Sequence, residues 1–147
     1  MASDVLIPAL GPDCPAACAL AREGVPTHVE IMQDDLHYGR LLAENWRGDV
    51  IVLEHDVVPW VGAMDAISDC SEPWCVYRYP FAPNAIRWAL GCLRVNSELV
   101  AAHPDLPERW SGVVWNQLDA AVVAALSSVA EGPHFHDPPL AHVKGPA

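Results

Sequence analysis

Three residues, Glu54-His55-Asp56, close an otherwise apolar run, Asp49-Val50-Ile51-Val52-Leu53. Such a run has no structural need of two carboxylates at its end. Carboxylates at i and i+2 of an extended segment project to the same side, so both could reach one cation. Oxygen donors with one imidazole suit Mg²⁺ or Mn²⁺. The plainer reading of these residues is a solvated strand end. A second set of donors sits near the C-terminus, at His134, His136 and His142. His134 and His136 could share a metal with His142 as a third ligand, which would be a zinc site. Surface imidazoles on a proline-rich tail are the alternative.

Single carboxylates complete the inventory. Asp119 borders an apolar helical stripe and could act as a general base toward a crevice, or be an ordinary exposed carboxylate. Asp34 and Asp35 follow a β-branched run, where they could accept a hydrogen bond from a base or ribose, or simply cap a helix. Six tryptophans are many for 147 residues. Trp60, Trp74, Trp88, Trp110 and Trp115 could line an acceptor groove or serve as packing.

The elements that must position these groups follow from periodicity. Val5 to Leu10 reads as a buried strand. Asp13 is the expected N-cap of a helix with Pro15 in its first turn and Gly24 at its end. Thr27 to Met32 is a second strand, and a helix capped by Asp34 or Asp35 runs on to Gly48. Asp49 to Leu53 is the clearest buried strand and is expected to be central. A helix from Trp60 to Ser68, strands at Cys75 to Tyr79 and Ala89 to Val95, and a short helix capped by Ser97 come next. Trp115, Leu118, Val122, Leu126 and Val129 define an amphipathic helix. Pro139 to Val143 is a candidate last strand. The alternation predicts a single α/β domain over 1–147, with a mainly parallel central sheet and helices on both faces. Ligands of such sheets bind beyond the carboxyl ends of the strands, which is where residues 54–56 fall.

Composition narrows the function. Eight Lys and Arg against 19 Asp and Glu give a formal charge of −11, with Lys144 the single lysine. That balance argues against general nucleic-acid binding and against an anionic membrane surface. The longest uncharged stretch, Ala120 to Ala130, is too short to span a bilayer. Asp4 stands before the first apolar run where a secretory signal would carry basic residues. Five cysteines without a CxxC pair suit reduced thiols in a cytoplasmic protein.

Taken in order, these pieces resemble the GT-A fold of nucleotide-sugar-dependent glycosyltransferases. The resemblance rests on Val5-Leu6-Ile7-Pro8, the acidic pair Asp34-Asp35, and Val50 to Asp56 as an Asp-x-Asp-like motif. It continues through the glycine-containing Leu90-Gly91-Cys92-Leu93, the helix Asn116-Gln117-Leu118-Asp119, and the distal Ala141-His142-Val143-Lys144. It covers most of the chain and implies a small member of the family. It implies Mn²⁺ or Mg²⁺ bridging a donor diphosphate, with Asp56 and His142 as ligands and Glu54 a ligand or ribose contact. Pro8 and Asp34 would contact the donor's nucleoside, and Arg94 or Lys144 would offset diphosphate charge. Asp119 would be the catalytic base if the reaction inverts. His142 is then expected to approach Asp56 closely enough to share one ion, and the tail to close over bound ligand as a lid. The implied partners are a nucleotide sugar and an acceptor that is a glycan, a protein or a small molecule. In so short a chain the acceptor-binding half would be minimal or supplied by a partner, and self-association as a homo-oligomer is compatible with this. A zinc-binding hydrolase or structural zinc protein built on the tail histidines, and a non-catalytic nucleotide-sugar-binding module, are the competing readings.

Overall fold

The computed structural model describes residues 4–82 and 85–143. The chain opens with β1 (Val5–Ala9), α1 (Pro15–Glu23), β2 (Thr27–Ile31), α2 (His37–Glu44) and β3 (Val50–Leu53). A two-residue strand β4 (Val57–Val58) and α3 (Ala63–Ser68) lead to β5 (Trp74–Tyr77) and the ribbon β6 (Tyr79–Ala82) and β7 (Ala85–Arg87). After a 3₁₀ turn at Ala89–Gly91 come β8 (Cys92–Val95), α4 (Ser97–Ala102), α5 (Trp115–Val129), β9 (His134–His136) and β10 (Ala141–His142).

Six strands form one sheet in the order β2-β1-β3-β8-β5-β9, with β3 in its interior. The β1–β2, β1–β3 and β5–β9 pairings are parallel. Strand β8 runs antiparallel to both neighbours. Among the described residues no helix lies between β5 and β8, only the β6–β7 ribbon and the 3₁₀ turn, so no helical crossover returns the chain in parallel.

Alternate residues of the interior strands feed two cores. Leu6, Val50, Val52, Val76 and Leu93 face α2, α4 and α5, where they meet Tyr38, Leu42, Leu99, Leu118, Val122 and Leu126. Ile7, Ile51, Leu53, Cys75 and Tyr77 face α1 and α3, against Leu20, Met64 and Ile67. The fold is thus mixed α/β, with a mostly parallel sheet covered on both sides. Among the described residues no helix is long and apolar enough to cross a membrane.

Several local details differ from expectation. Cys14, not Asp13, precedes α1, and its side chain makes no capping bond. Asn96 caps α4 instead of Ser97, its Oδ1 accepting the Leu99 amide at 2.9 Å. Helix α2 ends at Glu44, short of Gly48. His134 and His136, read as tail residues, lie on the edge strand β9.

Candidate functional site at the carboxyl ends of the strands

Strand β3 delivers Glu54 to the carboxyl end of the sheet, and the 89–91 turn receives it. The Glu54 amide donates to the Gly91 carbonyl at 3.0 Å. Gly91 has no room for a side chain, since a Cβ there would sit 1.9 Å from the Tyr79 ring. The chain then turns, with the Val57 amide donating to the Glu54 carbonyl at 3.1 Å. This turn ends the extended geometry at Leu53, so the i, i+2 alternation does not carry from Glu54 to Asp56. Glu54 instead accepts a hydrogen bond from the Tyr38 hydroxyl at 3.1 Å. Glu54, Asp56 and His142 therefore do not form a compact three-donor set. Among the described residues that spacing is met elsewhere in the fold.

Burial pushes the Glu54 carboxyl up to about 7, assisted by the Asp119 and Asp56 charges and opposed by the Tyr38 hydroxyl and Arg87. Asp119 follows the fully buried Leu118 on α5 and is itself half-buried. Its carboxyl is raised, mainly by burial, with Arg87 and the Leu90 amide pulling the other way. Tyr79 feels Glu54, Asp119 and Asp56 together, and with burial they raise its phenol. One crevice thus holds three carboxylates around one aromatic ring, with Arg87 beside them.

The tail completes the crevice. Strand β10 pairs antiparallel with β4, setting His142 opposite Val57. His142 Nε2 lies 2.9 Å from Asp56 Oδ2, and the Val143 amide donates to the Asp56 carbonyl at 2.8 Å. The His142 ring rests against Tyr79 and Phe81. Leu140 is buried, and its amide donates to the Arg78 carbonyl at 2.9 Å. The Trp60 indole donates to the Pro138 carbonyl at 3.2 Å. These bonds tie residues 138–143 to the body of the domain beside Asp56.

The remaining candidates are scattered. Pro8 lies on β1, just past the residues that pair with β3 and near the same end of the sheet. Asp34 is exposed; an ion pair with Arg40 at 3.1 Å and the Leu36 amide hold its carboxyl below the usual range. Asp35 is likewise exposed, and its carbonyl accepts the Trp115 amide, tying the start of α5 to the approach of α2. Arg94 does not reach the crevice, which corrects its assignment to the diphosphate. Its guanidinium bonds Asp49 at 3.1 Å and the Cys70 carbonyl, so it is committed before β3 begins. Lys144 lies outside the described residues. Trp74 and Trp110 are core residues, whereas Trp115 is 62% exposed.

Sequence reasoning passed over Tyr38, Tyr79 and Arg87. Tyr38 carried a signal, as a phenol in the apolar stripe of α2 where a buried hydroxyl needs an acceptor. Arg87 carried none, because its approach to Glu54 and Asp119 depends on the β6–β7 ribbon. A groove of about 420 Å³ opens at the opposite end of the sheet, lined by His28, Asn45, Arg47 and Asp49 among others. It collects no comparable set of reactive groups, and Asp49 there is neutralised by Arg94.

No protein-family model matches the chain, and no curated protein sequence matches it. Among solved structures, the chain is similar to a glycosyltransferase involved in the glycosylation of the major capsid of PBCV-1. The TM-score is 0.58 at 12% identity, over 95% of this chain and 92% of that one. At that identity the likeness concerns the fold.

Proposed function

We propose that this chain is a metal-dependent glycosyltransferase that moves a sugar from a nucleotide-diphosphate donor to an acceptor hydroxyl. The pairing of Asp56 with His142, in a crevice shared with Glu54 and Asp119, carries this reading. The fold shared with a known glycosyltransferase supports it. An oxygen donor beside one imidazole fits Mn²⁺ or Mg²⁺, so Asp56 and His142 are the residues that would hold the ion. When bound, the ion would supply positive charge to the donor's diphosphate. Arg87 offsets diphosphate charge from the crevice wall, in the role first given to Arg94. Glu54, its carboxyl pushed up to about 7, offers a hydrogen bond to the donor's ribose in its protonated form, and Pro8 and Asp34 lie on the side assigned to the nucleoside. Asp119 takes the proton of the acceptor hydroxyl if the reaction inverts. One helical turn before it, Trp115 presents an exposed ring on the same side of α5 for an acceptor to stack on.

The test combines stability and turnover. Nucleoside diphosphates with Mn²⁺ should raise the melting temperature, by the equivalent of about 2.7 kcal/mol at a hundredfold excess over Kd. His142→Ala should lose most of the Mn²⁺-dependent part. Asp119→Asn should keep that stabilisation while slowing sugar transfer by about 10²–10⁴-fold. Absence of any stabilisation sinks the donor assignment. Stabilisation without transfer by the unmodified protein would make the chain a binding module.

A further inference from the structure

A different side-chain cluster lies across the sheet from the crevice. Among the described residues, the sulfur of Cys70 and one ring nitrogen each of His134 and His136 lie within 4.8 Å of one another. We propose that Cys70, His134 and His136 form a zinc-class metal site that fastens the edge strand β9 to the turn after α3. The inference is independent of the glycosyl-transfer reading. Strands β8 and β5 separate β9 from β3 and its acidic end.

Two separately anchored elements, β9 and the turn after α3, bring the three donors together. His134 and His136 alternate with Phe135 along β9, so both imidazoles project to one face. Phe135 projects to the other, where it packs on Trp88 and beneath Arg78. Pairing with β5 sets His134 opposite Cys75 and His136 opposite Tyr77. The two imidazole rings meet edge-to-face at 4.9 Å. Cys70 follows α3 in a turn closed by its amide to the Ile67 carbonyl at 3.3 Å. Its own carbonyl is gripped by Arg94. The Arg94 charge is paired with Asp49, so it does not stand uncompensated beside a cation.

A second observation points to a ligand. His136 Nε2, like Trp74 Nε1, Arg94 Nε and Trp110 Nε1, is sealed from solvent without a hydrogen-bond partner among the described residues, and of these it alone belongs to the donor cluster. A buried polar atom in that condition costs about 1–3 kcal/mol, and native folds rarely tolerate one without a reason. Bond lengths near 2.0 Å to nitrogen and 2.3 Å to sulfur place tetrahedral donors roughly 3.3–3.6 Å apart. Binding would draw the three donors closer than their present spacing. One thiolate and two imidazoles select zinc-class ions over Mg²⁺ or Mn²⁺, the reverse of the oxygen-rich crevice. His134 is exposed, so the fourth position of a tetrahedral ion faces solvent.

The test uses the full chain, stripped with chelator under reducing conditions and titrated with Zn²⁺ alone or Co²⁺ alone. One equivalent should bind, raise the melting temperature, and with Co²⁺ give tetrahedral visible bands and a thiolate charge-transfer band. Cys70→Ser should abolish the charge-transfer band. His134→Ala, at an exposed position that leaves folding intact, should weaken binding beyond the roughly 100-fold typical of outer-shell changes. His28→Ala, on the far edge strand β2, should change neither the affinity nor the thiolate band. No uptake by the stripped protein overturns the proposal. So does uptake without a thiolate band, or binding unaffected by both Cys70→Ser and His134→Ala.

Discussion

Glu54 and Asp119 are carboxyls whose surroundings, more than their type, decide their behaviour. Glu54 is raised to about 7 mainly by burial at the strand end, with Asp119 adding like charge and the Tyr38 hydroxyl pulling the other way. In an unfolded chain it would titrate near 4.3. Its folded pKa is the higher of the two, so the folded state binds the extra proton. Stability contributed at low pH is therefore lost as pH rises from about 4.3 to about 7, and the loss is complete above that. We predict that Glu54→Gln, which keeps an acceptor for Tyr38, stabilises the chelator-treated protein above pH 7 by up to about 3 kcal/mol. Near pH 4 it should change little. Thermal melts across this range check it, and parallel curves for the two proteins would return Glu54 to ordinary carboxylate behaviour. The type and position of Glu54, Asp56, Asp119 and His142 were legible in the sequence. The burial of Glu54 was not, because it depends on contacts with residues that are distant in the chain.

At the scale of elements, the two-residue pairing of β10 with β4 places an imidazole beside Asp56. So short a ribbon is not stable alone. Leu140 holds it, buried in the core beneath α1 and α3. Leu140→Ala should cost about 2–5 kcal/mol and also weaken Mn²⁺ binding. Leu99→Ala, in the opposite core, should cost a comparable amount and leave Mn²⁺ affinity alone. Equal metal affinity in both variants would separate the tail from the site. The strand at 49–53 could be read from its unbroken apolar run, and α5 from its stripe. The antiparallel direction of β8 could not, because a run of four apolar-flanked residues carries no direction. Nor could β9, whose three residues His-Phe-His are too few to establish a period and become a strand by pairing with β5.

Over the whole molecule, the charge of −11 opposes the approach of an anionic donor. Electrostatic steering of oppositely charged partners weakens with salt, and here the sign is reversed. Without divalent ions, association of a nucleoside diphosphate should hold steady or quicken as KCl rises and the Debye length contracts toward about 8 Å. Stopped-flow rates in a salt series check this, and a steep slowing with salt would reveal a local basic path that outweighs the net charge. The charge and fold class were legible in composition and element order. The union of two distant segments at one crevice was an expectation drawn from resemblance, because neither periodicity nor charge says which tail residue meets which strand end.

That union also has a timetable. His142 follows Asp56 by 86 positions. Synthesis proceeds at about 5–20 residues per second, so the imidazole leaves the ribosome roughly 4–17 s after its carboxylate partner. During that interval β1, β2 and β3 can assemble, but Asp56 stands without its wall, and until α5 emerges Glu54 lacks the like charge of Asp119 that adds to the effect of burial. The nascent chain thus acquires its sheet before its chemistry, and a translation product cut short before Leu140 would leave Asp56 without its imidazole partner.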